Sequence, residues 1–199
     1  MAGVSDKYTL HLGDCLEYMR GMEAGSVDCV VTDPPYPDYY TDEYQYFDGI
    51  LEPLKNMKCK QFVFWTAKED FPLDYSAIHI WDKKTGVGSM YERIFERNGG
   101  ANYRVFRHYL INSTVAASFT GDEFTGHKSQ KPIKLIQELI EKYTNEGDTI
   151  FDPFMGSGTT GVACMQLGRK FIGCEINEQY FAIARKRIEA AAMQEPLFV

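Results

Sequence analysis

The sequence predicts an α/β fold: a doubly wound, mostly parallel sheet with helices on both faces. The first observation is that short apolar, strand-like segments alternate with segments whose apolar residues recur at helical intervals. The second is that two of these strands end in aspartate followed by proline, in "VVTDPPY" and "TIFDPF". The third is a glycine-rich turn that joins the second of them to a helix. Functional groups are therefore expected at the end of buried strands.

The N-terminal two thirds of the chain contain most of the predicted strands. Residues 8–14, "YTLHLGD", alternate apolar and polar side chains as a half-buried strand does. Further strands are predicted at 27–33, 61–66, 78–81 and 103–111. Two helical faces are also predicted, one formed by Leu16, Met19 and Met22 and the other by Phe47, Ile50, Leu51 and Leu54.

The C-terminal third has the clearest pattern. Pro132 suits the first turn of a helix, whose apolar face would be Leu135, Ile136, Leu139, Ile140 and Tyr143. "DTIFDPF" is a predicted strand, "GTTGVACMQL" a helix that ends at Gly168, and "KFIGCEI" another strand. Asn177 can cap a final helix that carries Tyr180, Phe181, Ala184 and Ile188.

Length and composition indicate one globular domain, 1–199, with 44% hydrophobic and 25% charged residues. No apolar run has the length of a membrane span, and the N-terminus lacks the pattern of a signal peptide. The five cysteines are scattered and without CxxC spacing, so neither a metal site nor a disulfide framework is predicted. A cytoplasmic protein is the expectation.

The charge distribution is uneven. The net charge is −7 overall, yet residues 81–135 contain nine Lys and Arg against five Asp and Glu. The rest of the chain then has twelve against twenty-three, because the totals are 21 and 28. A basic stretch in an acidic chain is either a local footprint for phosphates or an ordinary solvated surface.

The turn "FDPFMGSGTTG", residues 151–161, is a candidate ligand site. Glycines let a ligand approach the backbone and leave N–H groups free at the start of the helix. Glu175 ends the next strand, seventeen positions after Gly158, close to the offset at which an acid meets a ribose. The turn lacks the Lys-Ser/Thr pair of a P-loop. "GSGTTG" matches a dinucleotide site, but the preceding "DPFM" is unusual for one, and a turn without any ligand is the remaining alternative.

The stretch "VVTDPPYPDYY", residues 30–40, is the second candidate site. An aspartate at the end of a buried strand is followed by two prolines, which cannot donate a backbone hydrogen bond and whose φ angles are fixed. Considered alone, Asp33 could be an acid that caps a turn and Tyr36 a half-buried core ring.

Taken together, "DPPY" (33–36) and "DPFMGSGTT" (152–160) resemble the amino-methyltransferases of DNA that use S-adenosylmethionine. The order of the two motifs resembles the beta class, whose Rossmann-like fold is circularly permuted. "LHLGDCLEYM", "HKSQKPIKLIQELI" and "GCEINEQYFAIARKRI" are similar to further segments of that family. The resemblance covers almost the whole chain, and the family includes the methyltransferases of restriction–modification systems.

The resemblance implies a catalytic role for Asp33, Pro34, Pro35 and Tyr36. An exocyclic amine of adenine or cytosine is a weak nucleophile because its lone pair is delocalised into the ring. The Asp33 carboxylate and the Pro34 carbonyl would accept hydrogen bonds from that NH2, and Tyr36 would stack on the base. Aspartate at the first position favours adenine N6, whereas serine is commoner for cytosine N4. C5 methylation of cytosine needs a thiolate, which usually follows a proline, and none of the cysteines does so.

The same resemblance implies a set of cofactor-binding residues. Glu175 would hold the ribose, Asp14 would lie near the adenine of the cofactor, and Lys131 would meet its carboxylate or else be a solvated lysine. The full set is Asp14, Lys131, Asp152, Phe154, Gly156, Ser157, Gly158, Thr159, Thr160 and Glu175.

DNA is the expected partner, and the target base would have to be flipped out of the duplex. The aromatic residues of 36–49 would stack the extruded base or its neighbours, or form an ordinary surface loop. The residues expected to contact nucleic acid are Tyr39, Tyr40, Lys83, Arg93, Arg104, Arg107 and Lys128. The recognition insert, around 98–126, is short for the family. A homodimer would give a chain of this size more surface for contact with DNA.

Three alternatives remain at this stage. The same chemistry could act on cytosine N4, on RNA or on another amine. A non-catalytic DNA-binding subunit is a second possibility, although both motifs are intact. An NAD-binding oxidoreductase is the third and has the least support.

Overall fold

In the computed structural model, the described residues are 3–36, 49–85, 90–111, 113–126 and 130–194. Tyr39, Tyr40 and Lys128, and with them residues 37–48 of the aromatic segment, lie outside these ranges. Among the described helices, none combines the length and apolarity that crossing a membrane requires.

Within the described residues, nine strands form one sheet in the order β1-β2-β9-β8-β3-β4-β6-β5-β7. The strands are β1 (Gly3–Val4), β2 (Tyr8–Leu12), β3 (Cys29–Thr32), β4 (Lys60–Trp65), β5 (Ala77–Asp82), β6 (Tyr91–Arg97), β7 (Val105–Arg107), β8 (Thr149–Asp152) and β9 (Lys170–Glu175). The five strands from β2 to β4 in this order run parallel to one another. The pairs β1–β2, β4–β6 and β5–β6 are antiparallel, and β5–β7 is parallel. The prediction of a mostly parallel sheet is confirmed.

Six helices accompany the sheet in the part of the chain that the structure describes. They are α1 (Cys15–Arg20), α2 (Glu52–Asn56), α3 (Thr114–Thr120), α4 (Ile133–Tyr143), α5 (Thr159–Gln166) and α6 (Glu178–Ala192). One core cluster contains buried residues of α4, α5 and α6, and another contains residues of α1 and α2. Alternate residues of one strand enter the two clusters, as Val31 and Val30 of β3 do. The sheet is therefore covered on both faces, as predicted.

The strand order places a switch point between β3 and β8. After β3 the chain continues to β4 on one side, and after β8 it continues to β9 on the other. Because β3 and β8 are parallel, the turns that follow them leave the same edge of the sheet in opposite directions. Open α/β sheets bind ligands in the crevice that such a divergence creates.

Three elements were not predicted from the sequence: β1, β6 and α3. β6 was missed because its pattern is not that of a half-buried strand: Glu96 and Arg97 are almost fully buried, like Ile94 and Phe95 beside them. The strand predicted at 103–111 is much shorter, since only Val105–Arg107 pairs with β5. Leu51 and Leu54 are buried as expected, but the helix begins at Glu52, with Pro53 in its first turn.

Candidate active site

The two sequence motifs follow adjacent parallel strands and are joined by a buried hydrogen bond. Thr32, the last residue of β3, donates its hydroxyl to Oδ1 of Asp152, the last residue of β8, over 2.7 Å. Asp33 follows Thr32 directly, so this bond holds the start of the proline turn against the start of the glycine turn. The fold thus brings both motifs to one place, 120 residues apart in the chain.

Asp152 organises the glycine turn. Besides the Thr32 bond, its Oδ2 accepts the hydroxyl of Thr160 over 2.8 Å, and its Oδ1 accepts the backbone N–H of Phe154 over 3.1 Å. Burial raises the pKa of Asp152 to about 6, although these three hydrogen bonds oppose the rise. The Asp152 carboxylate therefore connects β3, the glycine turn and the first residues of α5, and in this way it fixes the shape of the turn.

Asp33 directly follows β3, and its side chain is partly exposed. Its carboxylate accepts a hydrogen bond from the Tyr36 hydroxyl and contacts the ammonium of Lys131. Burial raises the pKa of Asp33, and the Lys131 charge opposes that rise. Pro34 is buried. The Tyr36 ring stands edge-on to the fully buried Trp65, with ring centroids 5.4 Å apart, so Trp65 supports Tyr36 from the core.

Lys131 is buried, not solvated, and its ammonium faces protein carboxylates. It contacts Asp33 and lies 3.4 Å from Glu92 of β6. Burial alone would lower the pKa of Lys131, but the two carboxylates outweigh it and raise that pKa. Glu92 also pairs with Lys83, with 2.6 Å between Nζ and Oε1. Burial would raise the pKa of Glu92, yet the two ammonium groups lower it. Lys131 was expected to meet the cofactor carboxylate; in the structure it forms ion pairs with Asp33 and Glu92.

The glycine turn uses two of its own N–H groups within the protein: Gly156 donates to Glu175 over 2.9 Å and Gly158 donates to the Met155 carbonyl oxygen over 2.8 Å. Gly156 and Gly158 have φ angles of 52° and 83°, in the left-handed region that glycine adopts easily. Gly158 is the N-cap of α5 and no side chain caps that helix, so the partial positive charge of its N-terminus lies at the glycine turn. Ser157 and Thr159 are buried, and Arg187 of α6 donates to the Ser157 carbonyl oxygen over 2.5 Å.

Glu175 is the last residue of β9, and Asp14 lies two residues after the end of the neighbouring strand β2. Glu175 is buried, and its two oxygens accept backbone N–H groups of Gly156 over 2.9 Å and of Asn177 over 2.8 Å. Asp14 is exposed and accepts the N–H of Leu16 as the N-cap of α1. Each carboxylate oxygen has further acceptor capacity, so both side chains can still receive hydroxyl or amine donors.

The cations expected to contact nucleic acid fall into two groups. Arg104 and Arg107 are exposed at β7, the edge strand of the sheet: Arg104 directly precedes the strand and Arg107 is its last residue. Lys83 is not at the surface: it is buried against Glu92. Arg93 donates its guanidinium to the carbonyl oxygens of Thr66 and Glu69. The position of Lys83 therefore does not support the expectation that it holds a phosphate, because its ammonium pairs with Glu92. Arg93 is likewise engaged within the protein, because its guanidinium binds backbone carbonyl oxygens.

Sequence reasoning missed three residues of this site: Thr32, Glu92 and Arg187. The sequence could have indicated Thr32, since a threonine between two buried valines and "DPPY" is itself expected to be buried and then needs a hydrogen-bond acceptor. Glu92 gave no local signal, because its partners lie on other strands and loops. Arg187 lies on the outer helix α6, and nothing in its neighbourhood relates it to Ser157, thirty residues earlier.

Comparison with known families agrees with this geometry. The family model N6_N4_Mtase, described as DNA methylase, matches residues 58–186, more than half of the chain. The chain belongs to this DNA methylase family. The strand that leads into "DPPY", β3, precedes the strand that leads into the glycine turn, β8, which is the motif order of the beta class.

Two curated methylases show how much of the chain is shared. The chain is 34% identical over 145 residues to the Type II methyltransferase M2.DpnII of Streptococcus pneumoniae. This alignment covers 69% of this chain and 47% of that protein. The chain is 27% identical over an alignment of 259 residues to the DNA adenine methyltransferase YhdJ of Escherichia coli strain K12, which covers 96% of this chain and 85% of that protein. The chain thus spans about half the length of the first relative and most of the second.

Solved structures share the fold. The crystal structure of the M1.HpyAVI–SAM complex superimposes with a TM-score of 0.63 at 22% identity, covering 91% of this methylase chain and 98% of that chain. The PvuII DNA methyltransferase, cytosine-N4-specific, gives a TM-score of 0.69 at 14% identity, covering 98% and 89%. These identities are low, so the likeness establishes the common methyltransferase architecture.

Proposed function

We propose that this methylase transfers the methyl group of S-adenosylmethionine to the exocyclic N6 amine of adenine in DNA. One observation carries the proposal: the Thr32–Asp152 hydrogen bond joins the proline turn and the glycine turn at the switch point of the sheet. A motif suited to an amine and a motif suited to a nucleoside cofactor therefore open into one crevice.

The chemistry of the amine rests on Asp33 and Pro34. The Asp33 carboxylate and the Pro34 carbonyl can accept the two N–H bonds of the amine, which draws the nitrogen toward tetrahedral geometry and localises its lone pair. Trp65 and the stiff prolines keep these two acceptors in place, so the orientation of the amine accounts for much of the rate enhancement. Tyr36 donates to Asp33, and an incoming amine would take over that acceptor oxygen, which frees the tyrosine ring for stacking.

The residues around the glycine turn fit S-adenosylmethionine. When bound, this molecule supplies a methyl group on a sulfonium sulfur, which is already activated as an electrophile. The uncapped N-terminus of α5 suits its carboxylate, Glu175 and Asp14 offer acceptors for ribose hydroxyls and the adenine amine, and Asp152 shapes the turn from within. Lys131 has little part in this binding, because two protein carboxylates already face its ammonium.

Contact with DNA belongs to the exposed edge of the sheet. Arg104 directly precedes β7 and Arg107 is its last residue, and the largely exposed side chains of Tyr103 and Tyr109 lie close to them in the chain. Such a surface combines charges for the phosphate backbone with rings for displaced bases. A base must leave the duplex to reach Asp33. The short recognition insert, 98–126, and a homodimer that would extend this surface both stay predictions.

Cytosine N4 is the second candidate target. The name of the family model, N6_N4_Mtase, includes both the N6 and the N4 amine. The PvuII DNA methyltransferase, which is cytosine-N4-specific, shares the fold. Aspartate at position 33 favours adenine, and YhdJ, named as an adenine methyltransferase, aligns with almost the whole chain.

The test is to incubate the protein with methyl-labelled S-adenosylmethionine and unmethylated genomic DNA, followed by digestion to nucleosides and mass spectrometry. We expect labelled N6-methyladenine, and we expect Asp33→Ala to reduce it at least about 100-fold, the scale at which a positioned acid–base group contributes. The Asp33→Ala variant should fold, because Lys131 keeps Glu92 as a partner.

Asp6→Ala is the control, since Asp6 is an exposed acid near the N-terminus. Calorimetric titration with S-adenosylmethionine checks that Asp33→Ala still binds the cofactor. Labelled N4-methylcytosine would correct the base and keep the mechanism. Cofactor binding without any labelled nucleoside would overturn DNA as the substrate, and RNA would then be assayed in the same way.

A further inference from the structure

Four charged side chains, two of them buried and two partly buried, form a line that ends at Asp33. Lys83 pairs with Glu92 over 2.6 Å, Glu92 lies 3.4 Å from Lys131, and Lys131 contacts Asp33. The side chains are 7%, 14%, 8% and 20% exposed in that order, so little water screens them. The charges alternate in sign and sum to zero.

The four side chains come from four separate parts of the fold. Asp33 follows β3, Lys83 follows β5, Glu92 is in β6 and Lys131 precedes α4. Two aromatic rings line the cluster: the Lys131 ammonium is 5.3 Å from the centroid of Phe64 and 5.8 Å from that of Trp81, and Lys83 is 5.2 Å from Trp81. Buried ion pairs of this kind often add less stability than apolar side chains of the same volume, so stability alone does not explain the line.

We propose that Glu92 and Lys83 are positioning residues that act through Lys131 on the Asp33 carboxylate. The proposal rests on the proposed function, since it concerns how Asp33 receives the amine. Lys131 lies between two carboxylates. Because the Lys131 ammonium interacts with Glu92 as well as with Asp33, it holds Asp33 in place but leaves it part of its capacity to accept a hydrogen bond. Lys83 balances Glu92, which keeps Glu92 from drawing Lys131 away.

Because Glu92 and Asp33 share the Lys131 ammonium, two single variants should change the pKa of Asp33 in opposite directions. The charged or titratable groups that face Asp33 are Lys131, Glu92, Tyr36 and Asp152, with Lys83 behind Glu92. In Glu92→Gln a negative charge is removed, so the pKa of Asp33 falls and Lys131 binds it more fully. In Lys83→Met a positive charge is removed and Glu92 competes harder for Lys131, so the pKa of Asp33 rises.

The experiment measures the single-turnover rate of methyl transfer against pH, so that product release does not mask the chemical step. We expect the acid limb of the profile to move to lower pH in Glu92→Gln and to higher pH in Lys83→Met. The plateau rate of Glu92→Gln should fall on the order of tenfold, because the amine meets a weaker, fully paired acceptor. The dissociation constant for S-adenosylmethionine should stay within about twofold of the unmodified protein in both variants, because neither side chain belongs to the cofactor set.

The control is Glu52→Gln. Glu52 also pairs with a lysine over 2.6 Å, but at the exposed surface of α2, and its profile should overlay that of the unmodified protein. If one single variant does not fold, the double variant Glu92→Gln with Lys83→Met removes a balanced pair. It should fold and show a smaller shift in the direction of Glu92→Gln, because Glu92 is nearer to Asp33 than Lys83 is.

A purely structural role would lower the rate equally at every pH, and profiles that overlay after scaling would overturn the proposal. A second readout does not need activity. In protein labelled with carbon-13 at the aspartate carboxyl groups, the Asp33 resonance, identified by its loss in Asp33→Ala, should titrate with the same two opposite shifts. If the unmodified protein methylates nothing, the proposed function fails, and the titration still decides whether Glu92 and Lys83 act on Asp33.

Discussion

At the scale of single residues, Asp152 shows how a carboxylate can shape a site and weaken the protein that contains it. Its three hydrogen bonds join β3, the glycine turn and α5. Burial nevertheless raises its pKa to about 6, above the value of about 3.9 for an unfolded aspartate. Folding is therefore about 3 kcal/mol less favourable with this group ionised than with it protonated.

The first prediction concerns the pH dependence of that cost. Between pH values of about 4 and 6 the folded state binds more protons at Asp152 than the unfolded state does, so the contribution of this residue to stability rises as the pH falls through that window. In Asp152→Asn the ionisation is absent. The free energy of unfolding of the unmodified protein minus that of the variant should therefore increase by up to about 3 kcal/mol from pH 7 to pH 4.

Urea denaturation of both proteins at a series of pH values measures this difference, in which the titrating groups that do not interact with Asp152 cancel. The Thr32 and Thr160 hydroxyls lose part of their acceptor in the variant, which adds an offset that does not change with pH. A constant difference between the two proteins across the range would contradict the prediction.

At the scale of secondary-structure elements, Gly158 connects the glycine turn to the packing of α5 on α6. Its φ angle is 83°, and a Cβ atom placed on it would meet Cα and Cβ of Ala184 at 2.9 Å. Ala184 is fully buried in α6. The absence of a side chain at this position therefore serves the contact between two helices as well as any ligand at the turn.

The second prediction compares two glycines with the same backbone angle. Gly25 also has a φ of 83°, but nothing lies within 4 Å of the Cβ position there. Gly25→Ala should cost about 1 kcal/mol, the price of a left-handed backbone alone. Gly158→Ala should cost about 3 kcal/mol, since overpacking against α6 is added. Urea denaturation measures both values, and equal losses would mean that α6 moves aside without cost.

The elements differ in how well the sequence predicts them. The segment from Pro132 to the end of α6 was predicted closely, because Asn177 and the glycines are local signals whose meaning does not depend on distant residues. β6 was missed because Glu92, Glu96 and Arg97 read as surface residues. Their pairing with Lys83, His79 and Asp74, which permits burial, is decided by tertiary contacts.

The same reasoning separates the predictable and unpredictable parts of the site. The two motifs and their convergence followed from strand ends in a parallel sheet. The partners of Lys131 did not, since a lysine before a helix carries no sign of which carboxylates the fold will bring to it.

At the scale of the whole molecule, the distribution of charge suits a protein that meets DNA at one edge. The chain has a net charge of −7, so most of its surface repels a polyanion. Arg104 and Arg107 lie at the β7 edge, where Arg107 is 3.7 Å from the partly exposed Asp82 and Arg104 donates to the Tyr143 hydroxyl. Exposed contacts of this kind are weak, so both guanidinium groups can turn to phosphates at small cost.

The third prediction follows from this position. Each phosphate contact adds about 0.9 to the magnitude of the slope of log affinity against log salt concentration. The double variant Arg104→Ala with Arg107→Ala should therefore bind a duplex more weakly at low salt and should lower that slope by about 2. Binding of S-adenosylmethionine should not change, because β7 and the glycine turn belong to different halves of the sheet.

The measurement is fluorescence anisotropy of a labelled duplex at several salt concentrations, in the presence of S-adenosylmethionine. Arg185→Ala is the matched control. Arg185 is an exposed arginine of α6 that faces Glu189, and α6 packs on β2 and β9 at the far end of the sheet from β7. Its removal should leave the slope unchanged. If both variants reduce the slope alike, the duplex is attracted by the overall charge and not by the β7 edge, and the DNA-binding surface would have to be sought elsewhere on the molecule.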